Sequence, residues 1–270
     1  MEHNKVRINV FHTGQVYVDP SVPRGEKNPF AFTGLFRDKS KRLWLPVSAY
    51  LIEHPQGLVL VDTGWNTLVR TEEKKHLGYA SISDRARLPE GEAVTEQMKR
   101  LGYHPSDLEY VLLSHMDLDH TSGLSMVKEA KHIMCSEEEW KDTKKFPIRY
   151  KNYWKETEIE RFIYEPSHYG PVNRSYDLFG DESILLISTP GHSHGIFTVQ
   201  VRNSGKFVLL IGDVGYMRAS WEKQILPGIV ADKKAEVKSL EWVKKMSEQE
   251  DCVEILANHD QEVVPHVIEL

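Results

Sequence analysis

Residues 110–113, Tyr-Val-Leu-Leu, are an apolar run of the kind that forms a short buried strand. After one serine, Ser114, they lead into His115-Met116-Asp117-Leu118-Asp119-His120. Four potential ligands within six residues, at the end of a buried strand, cannot all be satisfied cheaply by burial. Unpaired buried charge is costly, and a cation is its natural partner. In extended backbone the alternating spacing points His115, Asp117 and Asp119 in one direction. A loop allows other geometries, in which His120 completes a second cluster. A polar loop making its own hydrogen bonds is the ordinary reading of one histidine or one aspartate, and the density of this cluster argues against it.

Three further segments repeat the theme. Ser188-Thr189-Pro190-Gly191-His192-Ser193-His194-Gly195 follows an apolar run, and a Pro-Gly turn there aims His192 back over the sheet end. Leu209-Leu210-Ile211-Gly212-Asp213 ends an apolar run in a small residue and a carboxylate, and Glu254-Ile255-Leu256-Ala257-Asn258-His259-Asp260 delivers a histidine in the same way. Each alone is weak, because a lone His or Asp at a strand end is usually a polar loop residue. Four strand ends bearing ligands in this order point to a metal site.

At 270 residues, with 40% hydrophobic and 27% charged side chains, the chain has apolar material for a sizeable core in one large α/β domain or two small ones. Its 34 basic and 40 acidic residues give a net charge of −6. No basic stripe is present to neutralise phosphates, which argues against nucleic acid as the main partner. Cys135 and Cys252 are the only cysteines, so neither a disulfide framework nor a Cys-based zinc site is expected, and a reducing compartment is the default. The first seven residues, Met1 to Arg7, lack the apolar core of a signal peptide. No run approaches the roughly 18 apolar residues of a membrane helix. A cytoplasmic protein without a membrane span is the expectation.

Strands are expected at 47–52 and 58–61, joined by the hairpin signal His54-Pro55-Gln56-Gly57, and at 110–113, 184–188, 197–201, 207–211 and 253–257, with Asn203-Ser204-Gly205 as a tight turn. Residues 90–101 have helical spacing through Val94, Met98 and Leu101, with Gly102 as the stop; 235–246 is an amphipathic helix. Ser136 followed by Glu137, Glu138 and Glu139 resembles a capping box opening another helix. Residues 141–176, rich in polar and aromatic side chains and carrying Pro147, Pro166 and Pro171, are expected to form an excursion over a pocket. Of the aromatic residues in 20–45 and 141–176, some of Phe30, Phe32, Phe36, Trp44, Phe146, Tyr150, Tyr153 and Trp154 are candidates to line an apolar channel, against ordinary packing of long loops. Strands interleaved with helices imply a layered α/β domain.

His115 to His120 resembles the His-x-His-x-Asp-His signature of the metallo-β-lactamase superfamily. Leu58-Val59-Leu60-Val61-Asp62-Thr63-Gly64 is similar to its early strand-Asp-Thr-Gly motif, Thr189 to Gly195 to its Thr-Pro-Gly-His motif, and Gly212-Asp213 to its bridging aspartate. The resemblance runs from about residue 45 to about residue 262. It implies a four-layer αβ/βα sandwich, residues 1–270 as a single domain, and two divalent metal ions at the sheet edges. One ion would take His115, Asp117 and His192, the other Asp119, His120 and His259, with Asp213 and a hydroxide bridging them and Asp62 orienting a ligand. Within the superfamily, Asp213-Val214-Gly215-Tyr216 resembles the segment of N-acyl homoserine lactonases whose tyrosine reaches the substrate, and Asn258-His259-Asp260 resembles their last His-Asp pair.

That resemblance implies a quorum-quenching lactonase, a hydrolase opening a small-molecule lactone by attack of the bridging hydroxide. Asp119 and Tyr216 would be the catalytic residues: Tyr216 donates to the oxyanion and Asp119 passes a proton to the leaving alkoxide. The departure is Asp117, where the family's usual ligand is histidine. A carboxylate is a harder ligand with an added negative charge, which makes iron or manganese candidates beside the family's zinc. Other readings are a thioesterase or phosphodiesterase on the same fold, a diiron redox protein, for whose flavin domain the chain has no room, and a non-catalytic metal-binding protein. His194 either meets substrate or supports its loop. The other histidines, His3, His12, His54, His76, His104, His132, His168 and His266, are read as surface or structural.

Overall fold

In the computed structural model, which describes residues 5–147 and 149–270, the chain folds into two β-sheets packed face to face with helices outside each. His3 and the start of the N-terminal segment lie outside the described residues. Among the described residues the first sheet has eight strands, in the order Val267–Glu269, Arg7–Val18, Leu43–His54, Gly57–Val61, Leu108–Leu112, His132–Ser136 and Glu160–Phe162, with Arg85–Arg87 also paired to Arg7–Val18. The second has six, in the order Cys252–Ala257, Lys206–Gly212, Phe197–Asn203, Ile184–Ser188, Arg174–Asp177 and Glu165–Pro166. Pairing is parallel from Gly57–Val61 onward in the first sheet and between Lys206–Gly212 and Cys252–Ala257 in the second, and antiparallel elsewhere.

The period-2 alternation of strands divides the apolar residues into layers. Tyr50, Ile52, Val59 and Val61 of the first sheet meet Leu186, Val199, Val208 and Leu210 of the second in the core between the sheets. Their sequence neighbours Ala49, Leu51 and Leu60 turn the other way, onto Val94 and Met98 of the helix Val94–Arg100. Leu209 and Ile211 pack outward on Leu240 and Val243 of the helix Lys233–Ser247. The strands are buried on both faces, so they read as continuous apolar runs. This is the expected αβ/βα sandwich.

Both predicted hairpins form. His54 pairs with Gly57. Asn203 pairs with Lys206 across Ser204 at φ 51° and Gly205 at φ 77°, two consecutive left-handed residues as a tight hairpin requires. Helix boundaries shift. The helix expected over 90–101 starts at Val94, because Gly91 at φ 82° closes a turn in which Glu92 N–H donates to Pro89 O, and it is preceded by a helix over Val69–Leu77. The last helix begins at Lys233, capped by Asp232, whose carboxylate accepts from Lys234 N–H and Ala235 N–H. The segment 141–176 is only partly an excursion. Asp142–Lys145 finish the helix Glu137–Lys145, and the later residues supply Glu160–Phe162 to the first sheet and Glu165–Pro166 and Arg174–Asp177 to the second. Only its first part, around Phe146, Pro147 and Arg149, reaches the cavity. Among the described residues no helix is long and apolar enough to cross a membrane.

Because Leu186 is fully buried between the sheets, Leu186→Ala should lower unfolding free energy by about 2–5 kcal/mol. Urea denaturation checks this as a lower midpoint at unchanged slope.

Candidate metal centre and active site

The site lies where Gly57–Val61, Leu108–Leu112, Ile184–Ser188, Lys206–Gly212 and Cys252–Ala257 end. Asp62, the residue after Val61, has φ 59°, an uncommon conformation for a non-glycine residue that its contacts impose. Its Oδ1 accepts from Ser114 N–H at 2.8 Å, and its Oδ2 accepts from Ser114 Oγ and from His120 Nδ1, each at 2.8 Å. With its proton committed to Asp62, Ser114 Oγ accepts from His115 Nδ1 at 3.1 Å. One carboxylate thereby sets the tautomer of both imidazoles and turns each Nε2 outward.

The other two histidines are fixed by carbonyls. His192 Nδ1 donates to Ile229 O at 2.9 Å and His259 Nδ1 donates to Pro46 O at 2.7 Å. The turn before His192 needs Gly191: at φ 155°, a Cβ there would lie 2.0 Å from Glu236 Oε2.

Four Nε2 lone pairs consequently face carboxylate oxygens. His259 Nε2 is 3.2 Å from Asp213 Oδ1 and 3.4 Å from Asp119 Oδ2; His120 Nε2 is 3.3 Å from Asp213 Oδ1. His115 Nε2 is 3.9 Å, and His192 Nε2 3.8 Å, from Asp213 Oδ2. Asp119, His120 and His259 form one group able to hold a cation, and His115, His192 and Asp213 another. All these side chains are buried except that of Asp119, which is partly so. Among the described residues His115 Nε2 and Asp213 Oδ1 have no hydrogen-bond partner. Acceptor facing acceptor in a buried site is stable only with positive charge between them. Protons alone shift accordingly: burial lowers His120, yet Asp62 and Asp213 raise it well above an ordinary imidazole, and Asp213 raises His259 in the same way. An orphaned imidazole nitrogen and carboxylate oxygen, with anchored tautomers around them, fit divalent cations.

Asp117 is bound differently. Its Oδ2 is 2.9 Å from His192 Nε2 and 3.6 Å from His115 Nε2, but Arg149 grips it with two hydrogen bonds, Nε to Oδ1 at 2.8 Å and Nη2 to Oδ2 at 2.7 Å. Burial alone would raise this carboxyl; the guanidinium, His115 and His192 hold it well below the usual range instead. Arg149 was not singled out in the sequence. Its signal was indirect, a carboxylate in a histidine position that asks for a cation of its own. Glu139 is expected from the sequence only as part of a capping box. Ser136 does cap its helix by accepting from Glu139 N–H, but the Glu139 carboxylate does not close the box; it accepts from Met116 N–H at 2.9 Å and Ser193 Oγ, joining the two ligand loops.

A cavity of about 650 Å³ opens on the cluster, within the ordinary range of ligand pockets. Val16, Val18, Val22, Phe32 and Phe146 supply apolar walls, and Asp119, Asp213, His259 and Tyr216 its polar end. Tyr216 is buried with its ring 4.9 Å from that of His259. Burial, with Asp213, Asp119 and Asp117 nearby, raises its phenol well above the ordinary value, so it keeps its proton. Asp84, also in the wall, is pushed up to about 7 by burial and the same carboxylates Asp119 and Asp117. Of the aromatic candidates, Phe32 and Phe146 line this cavity, while Tyr150 and Trp154 pack beneath the first sheet and Phe30 and Phe36 are exposed. His194 is tied to Asp142 and stacks on Phe146, away from the cluster.

Residues 42–251 match the family model described as the metallo-beta-lactamase superfamily. The chain belongs to that superfamily. It is 32% identical over 224 residues to the N-acyl homoserine lactonase AttM of Agrobacterium fabrum, covering 80% of this chain and 82% of that one. It is 27% identical over 225 residues to the N-acyl homoserine lactonase AiiA of Bacillus thuringiensis subsp. kurstaki, covering 82% and 84%. The fold superposes with a TM-score of 0.77 on an N-acyl homoserine lactone hydrolase solved with the product N-hexanoyl-L-homoserine at its catalytic metal center, at 24% identity over 97% of this chain and 98% of that one. As a metallo-β-lactamase superfamily member the protein is a metal-dependent hydrolase.

Asp62→Asn should weaken zinc binding by about 10–100-fold, as loss of a partner that orients a ligand does. Competition against a chelating dye measures it, and unchanged affinity would remove Asp62 from the orienting role.

Proposed function

We propose that this chain opens the ring of an N-acyl homoserine lactone or a related lactone. The observation that carries the reading is the placement of Tyr216, a buried phenol that keeps its proton, at the end of an apolar cavity whose floor is the His/Asp cluster. The lactonase relatives support it. Asp119, His120 and His259 would hold one cation, and His115 and His192 with Asp117 a second, with Asp213 facing both. Bound divalent cations supply hydroxide at neutral pH and polarise a carbonyl oxygen.

The remaining work belongs to the chain. Apolar walls take an acyl chain and exclude water, which strengthens each polar contact at the floor. Tyr216 donates a hydrogen bond to the oxygen on which charge develops. Asp119, largely buried beside the cavity, would take up the proton left on the attacking oxygen once it has added to the carbonyl and pass it to the alkoxide as the ring opens. Residues 1–270 act as one domain in this reading. Cys135 and Cys252, unpaired among the described residues, agree with a reducing, cytoplasmic setting. The working metal is zinc, iron or manganese, with the carboxylate of Asp117 favouring the harder ions.

Acid release from a panel of acyl homoserine lactones, with protein reconstituted separately with zinc, manganese and iron, tests the substrate class. Metal-dependent ring opening is expected, and silence with every metal despite bound ion would overturn it. Tyr216→Phe should lower kcat by about 10²–10³-fold, the cost of losing one oxyanion donor, while metal content stays the same. Full activity in that variant would end the role given to Tyr216.

A further inference from the structure

The two ligand groups differ in what already occupies them. Around Asp119, His120 and His259 the carboxylates face imidazoles. Around Asp117 and His192 the carboxylate also faces an imidazole, Oδ2 lying 2.9 Å from Nε2, but here a guanidinium contacts both. Arg149 Nη2 is 2.7 Å from Asp117 Oδ2 and 2.9 Å from His192 Nε2, Nε is 2.8 Å from Asp117 Oδ1, and Nη1 is 3.0 Å from His192 O. Four N–H directions of one side chain are spent on these two residues.

His192 has committed its Nδ1 proton to Ile229 O, so a neutral ring has one lone pair left, at Nε2, and Arg149 uses it. A metal ion on His192 needs the same lone pair. The two are mutually exclusive on that nitrogen. The Asp117 carboxylate poses the same choice, since both of its oxygens accept from Arg149. A neutral imidazole at position 117 would have offered the guanidinium one uncharged lone pair in place of two anionic oxygens; the carboxylate and the arginine make sense as a pair.

Resting on the metal-site reading above, we propose that Arg149 holds the Asp117–His192 position against a cation, so that the two positions load unequally. One divalent ion binds tightly at Asp119, His120 and His259 with Asp213. The Asp117–His192 position stays with the guanidinium, and a second ion enters only by displacing it. Arg149 is then the internal counter-charge of a site that its ligand list alone would describe as symmetric.

The test is metal stoichiometry. Metal-free protein is titrated with zinc, and separately with manganese, and bound ion is counted by elemental analysis after equilibration in a metal buffer. Wild type is expected to keep one tight equivalent. Arg149→Met should tighten the second equivalent by about 10–100-fold, the range over which contacts to ligands change metal affinity, and Asp117→His should do so as well by removing the partner of the guanidinium. Two equivalents of equal affinity in the wild type, matching those of Arg149→Met, overturn the proposal and leave the metal site standing. No tight ion in any form overturns both. Should Arg149→Met fail to fold, as judged by circular dichroism, the wild-type titration still decides between one tight equivalent and two equal ones.

Discussion

At the shared edge of the two sheets, four imidazoles turn the same nitrogen toward a set of carboxylates, each held in that orientation by its other nitrogen. Asp62 holds His120 directly and His115 through Ser114, and the carbonyls of Ile229 and Pro46 hold His192 and His259. Lone pairs facing carboxylate oxygens repel in a dry interior, and positive charge between them reverses the sign of that interaction. Much of the surrounding structure serves this arrangement. The left-handed backbone at Asp62, the side-chain-free approach at Gly191 and the backbone bond from Phe197 N–H to Ser114 O all keep the ligand-bearing ends in register.

The fold reaches this arrangement with little specialised structure. Strands buried on both faces define where the chain stops being apolar, and the His/Asp cluster is built from residues a few positions past those ends. Loops from both sheets then have to be clamped to each other. Glu139 does this from beneath, binding Met116 N–H in the loop after one strand and Ser193 Oγ in the loop after another. Its carboxyl is raised by burial, against the pull of His115, the Ser193 hydroxyl and other neighbours, so the clamp sits in a low-dielectric layer where its hydrogen bonds are strong.

Above the floor, the cavity is apolar on its sides and polar at one end, a division that suits a substrate with a greasy tail and a reactive carbonyl. Tyr216 belongs to the polar end because it packs on His259 rather than in the core between the sheets. Arg149 gives the site a second, fixed source of positive charge on one side only. The lining is therefore asymmetric: imidazoles and carboxylates by Tyr216 and His259, a guanidinium by Asp117.

The sequence by itself determined the layered α/β class, the C-terminal ends of the strands that lead into the cluster, and the identity of the ligand-type residues, because each lies within a few residues of an apolar run whose period and length are local properties; strands such as Arg7–Val18 and His132–Ser136 were not legible in it. His115 to His120, His192, Asp213 and His259 were legible for that reason, as were the turns at 54–57 and 203–205. What only the tertiary structure decided are contacts between residues far apart in the chain. Pro46 O reaches His259, Ile229 O reaches His192, Glu139 joins two loops, and Arg149 grips Asp117 across a segment that reads as polar and aromatic with no strand or helix period to place it. Local pattern carries burial and backbone geometry; which partner completes a buried charge depends on which loops the packed sheets bring together.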